Sequence, residues 1–123
     1  MNSLNKTYGK LTDGEISVMV CRLENPKYEA QAHPHNPKGA QYVRSFGRIS
    51  HKYSFFPVSR AEDGFQIAVR NRIAIVPASK TTWEASHESG AKARHKNPLR
   101  AAMIVYLMVN NAWEVADGAT CNP

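Results

Sequence analysis

The segment that most constrains this fold runs from Asn97 to Val109. Asn97 can accept hydrogen bonds from the free amides of a helix start, and Pro98 falls at the first helical position, where its missing N–H costs nothing. Beyond it Leu99, Ala102, Met103, Tyr106 and Leu107 share one stripe, while Ile104, Val105, Met108 and Val109 make the other faces apolar too. A helix apolar on most sides must be buried on most sides, so it is expected to be central to the core. Its uninterrupted apolar run, Ala101 to Val109, is nine residues, well short of the roughly 20 that a bilayer span needs.

Around that helix, 123 residues support one compact domain, because domains commonly run to about 100–150 residues. A two-domain enzyme is excluded. With 42% apolar and 21% charged residues, the chain can close a core and is not of the disordered class. Cys21 and Cys121 lie far apart and suggest no disulfide framework, and the polar stretch Met1–Lys10 has no secretory pattern. These features predict a cytosolic protein, with both thiols free. Residues 1–10 and 116–123 are expected to fray.

A second helix is predicted near residues 13–24. Thr12 and Glu15 have capping-box spacing, Leu11 and Ile16 staple spacing, and Ile16, Met19, Val20 and Leu23 repeat at helical intervals until Asn25-Pro26. Residues 30–40, with Pro34, Pro37, Gly39 and two histidines, read as a loop. A ribbon follows at Tyr42–Lys52. Ser59-x-x-Glu62 resembles another helix start, for a short helix carrying Phe65, Ala68 and Val69 inward and stopped by a left-handed Asn71. Ile73–Val76 and the alternating segment Thr81–Ser86 read as a hairpin about a Pro77–Lys80 turn, and residues 88–96 as a mobile loop. The order predicts an α+β domain: a small antiparallel sheet packed with about three helices.

No grouping of reactive side chains emerges. His33, His35, His51, His87 and His95 lack any metal-ligand spacing, so no metal and no cofactor are expected. Glu62 with Asp63 suits the first turn of a helix, and Glu84 the outer face of a strand. There is no nucleophile elbow and no phosphate-cradling glycine loop. The chain is not expected to be an enzyme.

Charge is concentrated instead. Residues 30–100 hold 12 basic and 4 acidic side chains, and from Ala30 to Ala61 there is no acidic residue at all. Lys38, Arg44, Arg48, Lys52, Arg60, Arg94, Lys96 and Arg100 form the predicted partner-binding surface, with Tyr42, Phe46 and Tyr53 as candidate stacking platforms. The competing reading turns those aromatics to the core and leaves the bases to water.

The string Asn97-Pro98-Leu99-Arg100-Ala101-Ala102-Met103-Ile104-Val105-Tyr106-Leu107-Met108 resembles the closing motif of NinX-type proteins, small proteins of lambda-like phages and prophages. Leu11-Thr12-Asp13 with Glu15-Ile16, Asn71-Arg72-Ile73-Ala74-Ile75 and Trp83-Glu84-Ala85 add to the likeness. Where that family typically carries an Asn-Pro-Ala-Asp-Ala-Trp-like segment, this chain has Arg60-Ala61-Glu62-Asp63-Gly64-Phe65, keeping Asp63 and placing Phe65 at the tryptophan. The resemblance covers about residues 11–24 and 56–110. It implies a phage or prophage origin and an accessory role, and it carries no activity. The resulting expectation is a non-catalytic module that binds a host protein or nucleoprotein complex, in the manner of an anti-CRISPR-like inhibitor of host defence. The alternative is direct nucleic-acid binding through the basic surface. A homodimer through Val105 or Met108 is also compatible with the apolar last helix.

Overall fold

A computed structural model describes residues 8–110. Helix α1 spans Asp13–Glu24, and its start is the predicted capping box: Thr12 Oγ1 accepts from Glu15 N (3.1 Å) and Glu15 Oε1 from Thr12 N (2.8 Å). Strands β1 (Ala30–Ala32), β2 (Ala40–Phe46) and β3 (Ile49–Phe55) form one antiparallel sheet in that order. Helix α2 (Ala61–Arg70) follows. A second antiparallel sheet contains β4 (Ala74–Pro77), β5 (Trp83–Ser86) and β6 (Lys92–His95), and helix α3 (Pro98–Val109) closes the described chain. Among the described residues, three helices and two three-stranded sheets make one small α+β domain.

Helix α3 is the centre, as its apolar circumference requires. Residues Arg100–Leu107 are all buried, and α3 packs against α1, α2 and the second sheet. Asn97 Oδ1 accepts from the amides of Leu99 (2.9 Å) and Arg100 (3.3 Å), while its Nδ2 donates to Val58 O (2.7 Å), so the cap also anchors the segment before α2. The main core joins Ile16 and Val20 of α1, Ile67 and Ala68 of α2, and Ala85 and Ala93 of the second sheet to α3. A smaller cluster, Cys21 with Ala30 and Ala40, lies between α1 and the first sheet.

Several expectations are corrected. Residues 30–40 are not wholly loop: Ala30–Ala32 pairs with β2, and the chain turns only over residues 33–39. Residues 88–96 contain β6, whose Ala93 is buried opposite Ala85. Both strands are too short for a period of two to be visible around their polar residues. The β4–β5 connection is Ala78–Thr82, organised by Ser79 Oγ accepting from Thr82 N (3.2 Å), so Thr81 belongs to the turn. Tyr8, inside the stretch expected to fray, is a buried core residue. Residues 116–123 and Cys121 lie outside the described residues.

Helix α2 departs most. Its N-cap is Arg60, with no side-chain cap, so Ser59 and Glu62 form no capping box. Asp63 instead accepts from Phe56 N at 2.9 Å and ties the first turn to the preceding segment. The inward stripe is Gly64, Ile67 and Ala68, because a Cβ at Gly64 would stand 2.1 Å from Pro57 O. Only the bare glycine face can approach that backbone, which turns Phe65 (53% exposed) and Val69 (59% exposed) outward. Asn71 has ordinary φ of −96°, and the left-handed residue is Arg72 at φ 58°. Ile73 N donates to Ala68 O (2.9 Å) and Arg72 N to Val69 O (3.1 Å), the paired bonds of a Schellman stop.

Candidate interaction surface

The β2–β3 hairpin projects the side chains that carry the most unusual surface chemistry. Phe46 pairs with Ile49 across Gly47-Arg48, and Gly47 at φ 66° gives the two-residue turn its positive first angle. Because side chains alternate along a strand, Tyr42, Arg44 and Phe46 share one face, opposite Tyr53, His51 and Ile49 in register. Residues 42, 44 and 46 have the same parity. Alternation therefore does not separate these aromatics from Arg44.

The face is a stack. Tyr28 lies on Tyr42 with ring centroids 5.9 Å apart, and Tyr42 on Tyr53 at 5.3 Å. The Arg44 guanidinium sits over the rings of Phe46 (5.1 Å), Tyr28 (5.2 Å) and Tyr53 (5.8 Å), within the reach of a cation–π contact. Burial raises the Tyr42 hydroxyl pKa, and Arg44 opposes that shift. Toward the turn the same face opens to solvent, with Phe46 51% and Ile49 60% exposed. Phe46 and His51 meet edge to face at 5.8 Å.

The other sequence-predicted residues are dispersed. Arg48 is exposed in the turn, and Lys52, paired with Val43, occupies the opposite face from Arg44. At the other end of the first sheet, Lys38 is exposed in the β1–β2 loop, with its carbonyl accepting from Ser17 Oγ (2.8 Å). Arg60 is exposed over the Phe56 ring at 4.4 Å. Arg94 lies on the second sheet, 3.2 Å from the Glu84 carboxylate, and Lys96 is exposed beside the α3 cap.

Arg100 is not on the surface. It is 7% exposed, bonds the Asp13 carboxylate, and donates to the carbonyls of Leu11 (2.6 Å) and Gly9 (3.2 Å). A cation in the first turn of α3 opposes that helix's dipole, and Asp13 and the two carbonyls compensate it. The sequence carried no local sign of this, since Asp13 reads equally well as a first-turn acid of α1.

Among the described residues, no cluster of His, Cys, Asp and Glu could hold a metal ion, and no helix is long and apolar enough to cross a membrane. Glu24, at the end of α1, accepts from Tyr106 Oη (2.6 Å) and bonds Arg70, which joins three helices through one carboxylate. Burial, and then the bond to Glu24, push the Tyr106 hydroxyl pKa up. His95 Nδ1 accepts from Asn97 N (2.9 Å), and burial lowers its pKa, with Arg100 adding to the effect. These groups brace the core.

Sequence reasoning missed Tyr28, Ile49 and His51 as parts of the hairpin face. Their membership depends on the β2–β3 register and on a tyrosine ahead of β1 folding back onto Tyr42. Comparison with known proteins bears on what such a face belongs to. No curated protein matches the chain. Residues 7–110 match the family described as Bacteriophage P22, NinX, which includes all four segments of the resemblance, and the chain belongs to that family.

Proposed function

We propose that this chain is a non-catalytic phage accessory protein that docks, through the β2–β3 hairpin, on an acidic surface of a host protein in the host cytoplasm, and that it acts by obstructing that protein. The observation that carries this reading is the hairpin face itself. Phe46 and Ile49 are exposed apolar anchors beside Arg44 and stacked tyrosines, the residue types that concentrate binding energy at protein interfaces. Charge selects the partner: no acidic residue lies between Ala30 and Ala61, and Arg48 is exposed in the turn beside the apolar tip. Family membership supplies the phage context, and inhibition of a host defence complex is the role that joins that context to a binding face. A net charge of +6 rules against imitation of DNA, so the obstruction is of a protein surface.

Tagged chain purified from the host tests this reading. A stoichiometric protein that survives nuclease treatment and is lost with the double variant Phe46→Ser, Ile49→Ser supports it. Its absence, or its retention by that variant, overturns it.

Arg48 and Lys52, exposed with no acidic neighbour in sequence, favour nucleic acid as the second reading. Its discriminating measurement is a mobility shift at two salt concentrations, because phosphate contacts weaken steeply with salt. No retardation at the lower concentration eliminates it.

A further inference from the structure

We propose that the open edge of β1, with the groove between it and α1, takes an extended peptide segment of a partner protein as a fourth strand of the first sheet. Among the described residues, strand β1 pairs only with β2. His33 N donates to Gly39 O (3.1 Å), and Ala32 pairs with Ala40 and Gln31 with Gln41. In an antiparallel ladder, hydrogen-bonded and non-bonded pairs alternate. Residues 31 and 33 therefore turn their peptide groups to β2, and Ala30 and Ala32 turn theirs outward.

Natural edges are usually guarded by charge or proline. Among the described strands β3 carries Lys52, β6 carries Lys92 and Arg94, and β4 ends in Pro77. The sequence of β1 is Ala-Gln-Ala, with neither charge nor proline, so its shortness is its one protection. Beside it lies a mainly apolar groove of about 670 Å³, lined by Leu11, Val18, Met19, Ala30 and Ala32 among others, with Arg22 at the end near Ala30.

A strand added along this edge would place every second side chain over Val18 and Met19, because side chains opposite Ala30 and Ala32 share their face. The small alanines leave room for them. The peptide is thus apolar at alternate positions. Arg22 is exposed and forms no ion pair among the described residues, so the peptide carries a carboxylate at that end. Backbone bonds provide affinity and the groove provides selectivity, as in other strand-addition complexes. This site is independent of the hairpin tip.

The test is selection of displayed random peptides of about eight residues, long enough for one strand, on the full chain. The selected peptides are then measured against three variants. Ala32→Pro removes an outward amide without touching the bonds to β2, Val18→Glu places a charge in the groove, and Arg22→Glu reverses the end charge. The expected peptides alternate apolar residues and carry an acid at one end. Each variant is expected to weaken their binding about tenfold or more, with unchanged circular dichroism. In isotope-labelled chain, the Ala30 and Ala32 amides should gain protection from exchange when peptide binds.

Selected peptides that bind Ala32→Pro and Val18→Glu as tightly as the parent overturn the proposal, as does selection that enriches nothing. A concentration-dependent dimer dissolved by Ala32→Pro would assign the edge to a second copy. Protection of both amides in the monomeric chain alone would assign it to the chain's own ends. Either result equally overturns the peptide reading.

Discussion

The guanidinium of Arg100 lies 2.5 Å from the carboxylate of Asp13, 87 residues away in the chain, and this pair locks the start of α3 to the start of α1. The arginine is nearly enclosed, whereas the aspartate is about a quarter exposed. Removing each partner should therefore have unequal consequences. Asp13→Ala strands a buried cation and is expected to cost about 3 kcal/mol, the range for an uncompensated buried charge. Arg100→Met leaves a carboxylate that water can reach and is expected to cost about 1–2 kcal/mol. Urea unfolding of both variants measures the difference, and equal losses would refute the asymmetry.

Arg72 stops α2 in a left-handed conformation at φ 58°. Side chains other than glycine meet a steric penalty there. Arg72→Gly is expected to raise stability by about 0.5–1 kcal/mol, after allowance for the greater freedom of glycine in the unfolded chain. A rise in the denaturation midpoint with unchanged slope is the expected record.

Gly64 behaves in the opposite sense. Alanine in a helix interior is ordinarily preferred to glycine by about 1 kcal/mol. Here its methyl would meet Pro57 O at 2.1 Å, a backbone atom that cannot rotate aside. Gly64→Ala is expected to destabilise the fold by about 2 kcal/mol or more. Thermal unfolding monitored by circular dichroism would detect the loss.

Cys21 is fully buried, and desolvation pushes its thiol from the ordinary value near 9 up to about 11. The folded chain thus holds the neutral thiol where the unfolded chain would ionise. This contribution is fully present below pH 9 and is lost as pH rises toward about 11. Compared with Cys21→Ala, the parent chain should lose stability more steeply across that interval. In a Cys121→Ser background, a thiol reagent at pH 8 should modify Cys21 only when the chain opens.

Helices α1 and α3 were legible because their signals are local: Thr12 with Glu15, and Asn97 by itself, satisfy amides within one turn, and Pro98 has no amide to satisfy. The orientation of α2 was not legible, because it depends on the backbone of Pro57 crossing Gly64, a contact between segments. Short β1 and β6 were hidden for a related reason. Their place is set by the partner strand, and Ala-Gln-Ala has little strand preference of its own. Of the predicted surface, Arg44 could be grouped with Tyr42 and Phe46 by parity alone, whereas Tyr53 needed the β2–β3 register and the burial of Arg100 the three-dimensional approach of Asp13.

The hairpin tip stands apart from the interior. Phe46, Gly47, Arg48 and Ile49 belong to neither buried cluster, and the turn at Gly47 needs only a permissive glycine. Substitutions at the other three positions are therefore expected to leave the ability to fold untaxed. If the tip docks on a host protein as proposed, such a molecule could track a drifting target by altering a few tip side chains, while the scaffold beneath stays under its own separate selection.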